Sequence, residues 1–209
     1  TLCVVGESGC GKSVTANSIL RLLPELSRIE EGSITYYKED GQVIRLDQLE
    51  KNGKQMRKLR GEDIAIIFQD PMTSLNPILT IAEQITSIIL QHPDCSESDA
   101  RVRAIELMKK VGIPNAENRF DDYPFQYSGG MRQRIVIAIA LSCQPKILIC
   151  DEPTTALDVT IQAQILNLIK ELKSKYNLTT IYITHDLGVV ANVADRIAVM
   201  YAGDIVEIG

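Results

Sequence analysis

Short apolar runs along the chain alternate with longer stretches in which apolar residues recur every three or four positions. The apolar runs predict buried strands at residues 1–5, 64–68, 146–150 and 179–184. The periodic stretches predict helices at residues 13–20, 49–60, 81–90, 96–111, 128–143, 159–175 and 186–193. Strands that alternate with helices indicate an α/β fold with a mostly parallel sheet covered on both faces.

Two further regions have the pattern of shorter strands. Residues 33–37 and 43–46 flank a charged, glycine-containing turn, which predicts an antiparallel hairpin. Residues 196–201 and 204–208 predict two closing strands joined by a second glycine turn. The fold is therefore expected to include an antiparallel β part beside its parallel core.

A helical block interrupts the predicted strands. Residues 71–127 carry helical periodicity and loops but no strand signal, so we expect a helical subdomain inserted into the core. The core would then comprise residues 1–70 and 128–209, within a single domain spanning residues 1–209. The chain begins on its first predicted strand and ends directly after an apolar alternation. We therefore expect it to be a fragment of a longer polypeptide.

Composition narrows the class of protein without identifying one. Hydrophobic residues make up 45% and charged residues 23% of the chain, as in ordinary globular domains. The formal charge of −5 gives no basic field for nucleic acid, so no nucleic-acid partner is expected. No apolar stretch approaches the ~20 residues that cross a bilayer, and no signal-peptide pattern occurs. The five cysteines lack metal-ligand spacing, so we expect buried, reduced thiols.

A glycine-rich loop lies between the first predicted strand and the first predicted helix. Residues 6–13 match the P-loop pattern G-x-x-x-x-G-K-[ST] in the strand–loop–helix context that binds phosphate. Glycines let successive backbone N–H groups point at an anion, and the helix dipole adds to their field. Lys12 would contact the β and γ phosphates, and the Ser13 hydroxyl would bind Mg²⁺. The residues expected to contact a nucleoside triphosphate are Gly6, Glu7, Ser8, Gly9, Cys10, Gly11, Lys12, Ser13 and Val14.

Two adjacent carboxylates, Asp151 and Glu152, follow the predicted strand at 146–150. Neighbouring side chains on a strand point to opposite sides, so the two acids can take different roles. Ligands of open α/β sheets bind at the carboxyl ends of strands, where this pair lies. We expect Asp151 to reach the Mg²⁺ shell and Glu152 to polarise an attacking water.

A second potential anion site precedes the helix predicted at 128–143. Ser128 is a good N-cap, and Gly129 and Gly130 leave the first N–H groups of that helix open. One triphosphate does not need two such sites from the same chain. A second copy could close over the nucleotide held by the first, which predicts a dimer with the nucleotide at its seam.

These motifs occur in an order that resembles the ATP-binding cassette (ABC) ATPases over nearly the whole chain. The resemblance implies an ABC-type P-loop NTPase fold, and it gives roles to further residues. Gln69 would sense the γ-phosphate and Mg²⁺ and couple to a transmembrane partner. Ser128–Gln133 would form the signature loop, Ala156-Leu157-Asp158 the D-loop at the dimer seam, and His185 the switch histidine on the γ-phosphate. His92, in a polar loop, is expected to be an ordinary histidine.

Finer resemblance points to the oligopeptide, dipeptide and nickel importers, on Phe68–Pro77, Tyr127–Arg134 and Asp151–Thr160. It implies a peripheral ATPase on the cytoplasmic face of the cell membrane that powers peptide uptake. Its partners would be a second ABC ATPase subunit, transmembrane permease subunits and, indirectly, an extracytoplasmic solute-binding protein. Two residues depart from the general ABC signature, with Tyr127 in place of leucine and Met131 in place of glutamine.

Two other functions remain open at this point. One is an ABC-type ATPase acting on DNA or ribosomes, although coiled-coil insertions, paired cassettes and basic patches are absent from the sequence. The other is a regulatory module that holds ATP without hydrolysing it, against which Glu152 and His185 argue. The resemblance also places the adenine-stacking aromatic residue before the first strand and a C-terminal extension after residue 209, both outside this sequence.

Overall fold

The computed structural model describes residues 1–91, 95–155 and 157–209. His92 and Ala156, which the sequence assigned to an ordinary loop and to the D-loop, lie outside the described residues. The described strands are β1 (Leu2–Val5), β2 (Thr35–Tyr37), β3 (Val43–Arg45), β4 (Ile64–Ile67), β5 (Ile147–Asp151), β6 (Thr179–Thr184), β7 (Arg196–Tyr201) and β8 (Asp204–Ile208).

Six of these strands form one sheet in the order β4-β5-β6-β1-β7-β8. The pairs β4/β5, β5/β6, β1/β6 and β1/β7 are parallel, and β8 joins antiparallel to β7. Strands β2 and β3 form a separate antiparallel hairpin. The predicted mostly parallel sheet with an antiparallel β part is therefore confirmed.

Each of the seven predicted helices is present in the structure, with bounds that differ by a few residues. The described helices are α1 (Lys12–Ile19), α2 (Lys54–Glu62), α3 (Pro71–Ser74), α4 (Ile81–Ile89), α5 (Glu97–Lys110), α6 (Ala116–Arg119), α7 (Gly129–Leu141), α8 (Val159–Tyr176) and α9 (Leu187–Val193). Short 3-10 helices occur at Leu46–Gln48 and Pro124–Gln126. None of the helices in the described part of the chain is long and apolar enough to span a membrane.

The largest error in helix bounds concerns α2, which was predicted over 49–60 and begins at Lys54. The preceding residues form a turn in which the Gly53 N–H donates to the Glu50 carbonyl at 3.0 Å. The four-residue helices α3 and α6 were not predicted, because one turn is too short to show a helical period.

Two buried clusters lie against the sheet, and β1 contributes to both. Cys3 and Val5 belong to one cluster and Val4 to the other, as the two-residue period of a strand requires. Tyr182, on the neighbouring strand β6, is 1% exposed and packs in the same cluster as Cys3. Burial on both faces explains why the strand that precedes the glycine loop is a continuous apolar run.

The stretch predicted as a helical subdomain, 71–127, contains α3, α4, α5 and α6. Buried side chains of α4 and α5 share one continuous cluster with those of α7, α8 and the sheet. A subdomain boundary at these residues stays a prediction, because the cluster runs across it.

Candidate functional site

The predicted site residues follow four neighbouring strands of the sheet. The glycine loop follows β1, Gln69 follows β4, Glu152 follows β5, and His185 follows β6. Because β4-β5-β6-β1 are parallel neighbours, their carboxyl ends meet at one edge of the sheet. A cleft of about 780 Å³ opens there. Its lining includes eight of the nine predicted loop residues together with Gln69, Glu152, Thr155 and His185.

The loop between β1 and α1 is a tight turn that depends on its glycines. Gly9 and Gly11 have φ of 83° and 105°, in the left-handed region that side chains disfavour. A Cβ on Gly6 would lie 2.2 Å from the backbone oxygen of Met200, so β7 presses directly against the loop. The fixed turn leaves the N-terminus of α1 open towards the cleft, where an anion is favoured.

Lys12 is folded against the loop that precedes it. Its Nζ donates to the backbone oxygens of Gly6 at 2.8 Å and Glu7 at 2.9 Å. Only 5% of the residue is exposed, although it lines the cleft. The carbonyls hold the ammonium in place without neutralising it, so its charge remains available to an anion in the cleft.

Cys10 differs from the other loop residues because it lies beneath the loop. It is 6% exposed and is absent from the cleft lining among the described residues. Its N–H donates to the Glu7 carbonyl at 3.3 Å, and its carbonyl accepts the Gly203 N–H at 3.0 Å. A direct contact of Cys10 with a nucleotide therefore stays a prediction.

Asp151 lies beside the first turn of α1. The Ser13 hydroxyl donates to its Oδ1 at 2.9 Å, and the residue is 6% exposed. Burial raises the pKa of Asp151, which the hydrogen bond from Ser13 only partly offsets. A cation in contact with this carboxylate would remove the cost of its desolvation.

Glu152 is aimed at the cleft by an unusual backbone conformation. Its φ is 47°, which is rare for a residue with a side chain and clusters at functional sites. The different directions of the two acids were expected from strand alternation. In the structure Asp151 is the last residue of β5, and the left-handed turn at Glu152 changes the direction of the chain directly after it.

Three side chains hold the Glu152 carboxylate. Gln69 Nε2 donates to Oε2 at 2.9 Å, the Thr155 hydroxyl donates to Oε2 at 3.0 Å, and His185 Nδ1 lies 3.0 Å from Oε1. Burial alone would raise the pKa of Glu152, but the hydrogen bonds of His185 and Thr155 and the charges of His185 and Lys12 outweigh it. The pKa of Glu152 is thus lowered, and the carboxylate is ionised at neutral pH.

An ionised Glu152 fixes which ring nitrogen of His185 donates to it. Oε1 can only accept a hydrogen bond, so Nδ1 of His185 carries a proton and donates. Nε2 is then left for another contact, and the His185 side chain is 55% exposed at the cleft. Thr155 was missed by the sequence analysis. The only available signal was a hydroxyl three residues after the glutamate.

The residues predicted to bind Mg²⁺ supply oxygen donors. Ser13, Gln69 and Asp151 also line a neighbouring cavity of about 550 Å³, and Ser13 and Gln69 line the main cleft as well. Among residues 1–91, 95–155 and 157–209, no group of three or more His, Cys, Asp or Glu side chains could hold a metal alone. A hydroxyl, an amide oxygen and one carboxylate nevertheless suit Mg²⁺, which completes its shell with water and substrate phosphates.

The residues predicted to serve a second chain lie outside the cleft lining in the described part of the molecule. Ser128 caps α7 by accepting the Met131 N–H at 3.4 Å, and Asp158 caps α8 by accepting the Ile161 N–H at 3.0 Å. The two helix starts touch, since a Cβ on Gly130 would lie 2.7 Å from Cγ2 of Ile161. The start of α7 therefore does not line the cleft of the glycine loop in the same chain, as the dimer hypothesis requires.

Solved structures with the same architecture are dimeric ABC cassettes and a transporter component. The cassette MJ0796, in its post-hydrolysis dimer bound to ADP and Pi, superposes with a TM-score of 0.81 at 30% identity. The match covers 100% of this chain and 84% of that one. CbiO1 of Clostridium perfringens, part of the transporter complex cbiONQ, gives a TM-score of 0.76 at 28% identity, over 100% of this chain and 76% of that one.

Curated relatives include several ATP-binding transport proteins. The oligopeptide transport ATP-binding protein AmiE of Streptococcus pneumoniae is 59% identical over 208 residues, which cover 100% of this chain and 57% of AmiE. The dipeptide transport ATP-binding protein DppD of Bacillus subtilis is 56% identical over 210 residues, or 100% of this chain and 61% of DppD. The glutathione import ATP-binding protein GsiA of Escherichia coli is 52% identical over 210 residues, or 100% of this chain and 33% of GsiA.

The chain thus spans 57% of the length of AmiE and 61% of that of DppD. The sequence model of the family described as "ABC transporter" matches residues 1–155, which include the glycine loop, the signature loop and the acidic pair. With this match over most of its length, and with the ABC cassette fold, the chain belongs to the ABC transporter family.

Proposed function

We propose that this chain is a nucleotide-binding domain that hydrolyses ATP to power the import of di- and oligopeptides. The observation that carries the proposal is the Glu152 carboxylate, ionised and held by Gln69, Thr155 and His185 at the cleft that the glycine loop lines. A chain that only stored ATP would have no need of a base fixed in this position.

ATP binding would use the backbone of the glycine loop and the charge of Lys12. The loop N–H groups and the start of α1 surround the phosphates, and Lys12 adds a point charge towards the β and γ positions. Ser13, Asp151 and Gln69 would hold Mg²⁺. Bound Mg²⁺ neutralises charge that develops on the transferring phosphoryl group.

Hydrolysis would depend on Glu152 and His185. Glu152 accepts a proton from, or orients, the water that attacks the γ-phosphate. His185, whose Nδ1 donates to Glu152, would donate from Nε2 to a γ-phosphate oxygen when both ring nitrogens carry a proton. Gln69 donates a hydrogen bond to Glu152, so a movement of Gln69 on nucleotide binding would also shift the Glu152 carboxylate.

A second chain would complete the site. Ser128, Gly129 and Gly130 open the N-terminus of α7 at a surface apart from the glycine loop, and Asp158 begins α8 beside them. In a dimer of two such domains, each signature loop would cover the nucleotide of the other chain. The MJ0796 cassette, which has the same fold, is a dimer.

Peptides are proposed as cargo from the names of AmiE and DppD. The domain would work on the cytoplasmic face of the membrane with permease subunits, and indirectly with an extracytoplasmic solute-binding protein. We place the permease contact at the segment from Phe68 through α3, where Phe68 is 40% exposed beside the 550 Å³ cavity. Crosslinks to a permease found only on β8 would overturn that placement.

We also propose that 71–127 is a helical subdomain within the single domain 1–209.

The test of hydrolysis is the substitution Glu152→Gln, which keeps the shape and removes the base. Because general-base catalysis contributes about 10²–10⁴-fold, we expect ATP turnover to fall by at least about a hundredfold. ATP should remain bound, and the variant should accumulate an ATP-dependent dimer in size exclusion. Glu171→Gln, an exposed position on α8, is the matched control. Turnover by Glu152→Gln equal to that of the control would refute the catalytic role.

A further inference from the structure

The guanidinium of Arg119, the last residue of α6, contacts residues on both sides of Ser128. Its Cζ lies 4.4 Å from the ring centroid of Tyr127, and Nη1 donates to Sδ of Met131 at 3.6 Å. Nη2 donates to the Gln126 carbonyl at 2.7 Å. A single planar group thus joins the segment before the signature loop to the first turn of α7.

Arg119 is itself held in place. Its Nε donates to Oδ2 of Asp122 at 3.1 Å, and the Tyr127 hydroxyl donates to the Arg119 backbone oxygen. Burial raises the pKa of Tyr127 to about 12, so this hydroxyl remains a donor at neutral pH. Tyr127 is 2% exposed, and a cation over a shielded ring interacts more strongly than one in water.

The cap of the signature loop is weak. Ser128 is exposed, and the cap that it provides to the Met131 N–H is long at 3.4 Å. On α8, Cγ2 of Ile161 lies 2.7 Å from the position that a Cβ on Gly130 would take. Arg119 and Ile161 of α8 therefore both contact the start of α7, while Gln133, at the end of the loop, is held by the Pro153 carbonyl.

Two of the three side chains that Arg119 contacts, Tyr127 and Met131, are the two at which the sequence departs from the general ABC signature. Tyr127 supplies the aromatic face and Met131 the sulfur, and neither leucine nor glutamine would supply the same group. The departures are therefore not independent of each other, because one guanidinium serves both.

We propose that Arg119 is a positioning residue that fixes Ser128, Gly129 and Gly130 in the conformation that binds the nucleotide of a second chain. Arg119 does not touch that nucleotide. It acts through Tyr127 and Met131. The inference rests on the proposed nucleotide-sandwich dimer.

The experiment measures ATP-dependent dimerisation of the protein in the Glu152→Gln background, with and without Arg119→Met. We expect Arg119→Met to weaken dimerisation at saturating MgATP by at least about tenfold, because the cation–π contact with Tyr127 and the hydrogen bonds to Met131 and Gln126 are lost together with the ion pair to Asp122. MgATP binding to the monomer, measured at protein concentrations too low for dimers, should be unchanged because the glycine loop is untouched. An unfolding or stability effect alone would lower both.

Arg101→Met is the matched control. Arg101 lies on α5 with its Cζ 4.5 Å from the ring centroid of Phe120, and it pairs with Asp121 at 3.6 Å. It thus has the same stacked geometry on an aromatic ring, away from the signature loop. Arg119→Lys keeps the charge beside Asp122 but lacks the planar fork, so it should dimerise nearly as poorly as Arg119→Met.

A double-mutant comparison separates the positioning role of Arg119 from a general effect on stability. In Tyr127→Leu/Met131→Leu, which removes the ring and the sulfur without supplying a new acceptor, a further Arg119→Met change should weaken dimerisation by less than about threefold. Full dimerisation by Arg119→Met or Arg119→Lys, or an undiminished effect in the double variant, would overturn the inference. If the Glu152→Gln parent forms no ATP-dependent dimer, the proposed sandwich fails and the inference fails with it.

Discussion

A buried amide on α7 supports the backbone next to Glu152, the proposed catalytic base. Gln133 is 0% exposed, and its Nε2 donates to the Pro153 carbonyl at 2.7 Å. Pro153 directly follows Glu152, whose left-handed φ of 47° needs support from its surroundings. We therefore expect Gln133 to contribute both to the free energy of unfolding and to the catalytic rate.

The size of the effect follows from the two ends of the Gln133 amide. Gln133→Leu leaves the Pro153 carbonyl without its donor, which costs about 1–3 kcal/mol when a buried acceptor loses its partner. Part of that cost is offset, because Oε1 of Gln133 is buried with no hydrogen-bond partner among the described residues, and its removal relieves a second unsatisfied group. A net loss of about 1–2 kcal/mol results, or roughly 2–8 °C in Tm for a domain of this size.

Gln133→Glu should lower the stability of the protein more than Gln133→Leu does. The glutamate has nearly the same shape but places a carboxylate oxygen where the donor faced the Pro153 carbonyl. An uncompensated buried charge costs about 3–5 kcal/mol, so we expect a Tm loss of roughly 6–20 °C. This order of the two variants is the opposite of what similarity of size would predict.

The assay is thermal unfolding combined with ATPase kinetics. For Gln133→Leu we expect kcat to fall by about tenfold with KM nearly unchanged, because the glycine loop is untouched while the Glu152 carboxylate is less well placed. Gln55→Leu, at an exposed position on α2, should shift stability by less than about 0.5 kcal/mol. The reasoning is refuted if Gln133→Leu matches this control in both Tm and kcat, or if Gln133→Glu is the more stable of the two variants.

Two further predictions concern ionisation in the cleft. Asp151→Asn should raise the Tm of the nucleotide-free protein at neutral pH, because it removes a carboxylate whose folded pKa is raised by burial while the Ser13 hydroxyl keeps an acceptor. The gain should vanish below about pH 4, where unfolded aspartate is protonated too, and ATP turnover should be lost. His185→Ala should raise the pKa of Glu152, which His185 now helps to lower, so the acid limb of the ATPase pH profile should move to higher pH; an unmoved limb would contradict the pairing.

Local patterns in the sequence predicted the glycine loop, the acidic pair after β5 and the Ser128 cap. Each of these depends on residues that are close in sequence, so a pattern of a few letters contains the relevant physics. The contacts of Arg119 with Tyr127 and Met131, and the hydrogen bond from Gln133 to the Pro153 carbonyl, could not be predicted in this way. Gln133 meets the Pro153 carbonyl 20 residues further along the chain, and only the packing of α7 beside β5 brings them together.

The partners of Glu152 show the same limit. Gln69 and His185 were assigned to the site by resemblance, yet the three hydrogen bonds that converge on one carboxylate depend on the order of the strands. Thr155 belongs to this set although no pattern marked it. The start of α2 was misplaced for a simpler reason, since charged residues before Gly53 continue the helical period while the backbone turns.

The position of β1 in the sheet has a consequence for synthesis on the ribosome. Leu2 pairs with Ile181 on one side and with Arg196 on the other, so β1 is hydrogen-bonded only by strands that lie far along the chain and are synthesised much later. At ordinary rates of translation, roughly 10–40 s pass before β6 leaves the ribosome. During that time the apolar β1 has two unpaired edges, and the glycine loop has neither Met200 nor Gly203 behind it. A nascent chain should therefore bind no nucleotide until β7 and β8 have emerged, and this interval is when it most needs a chaperone.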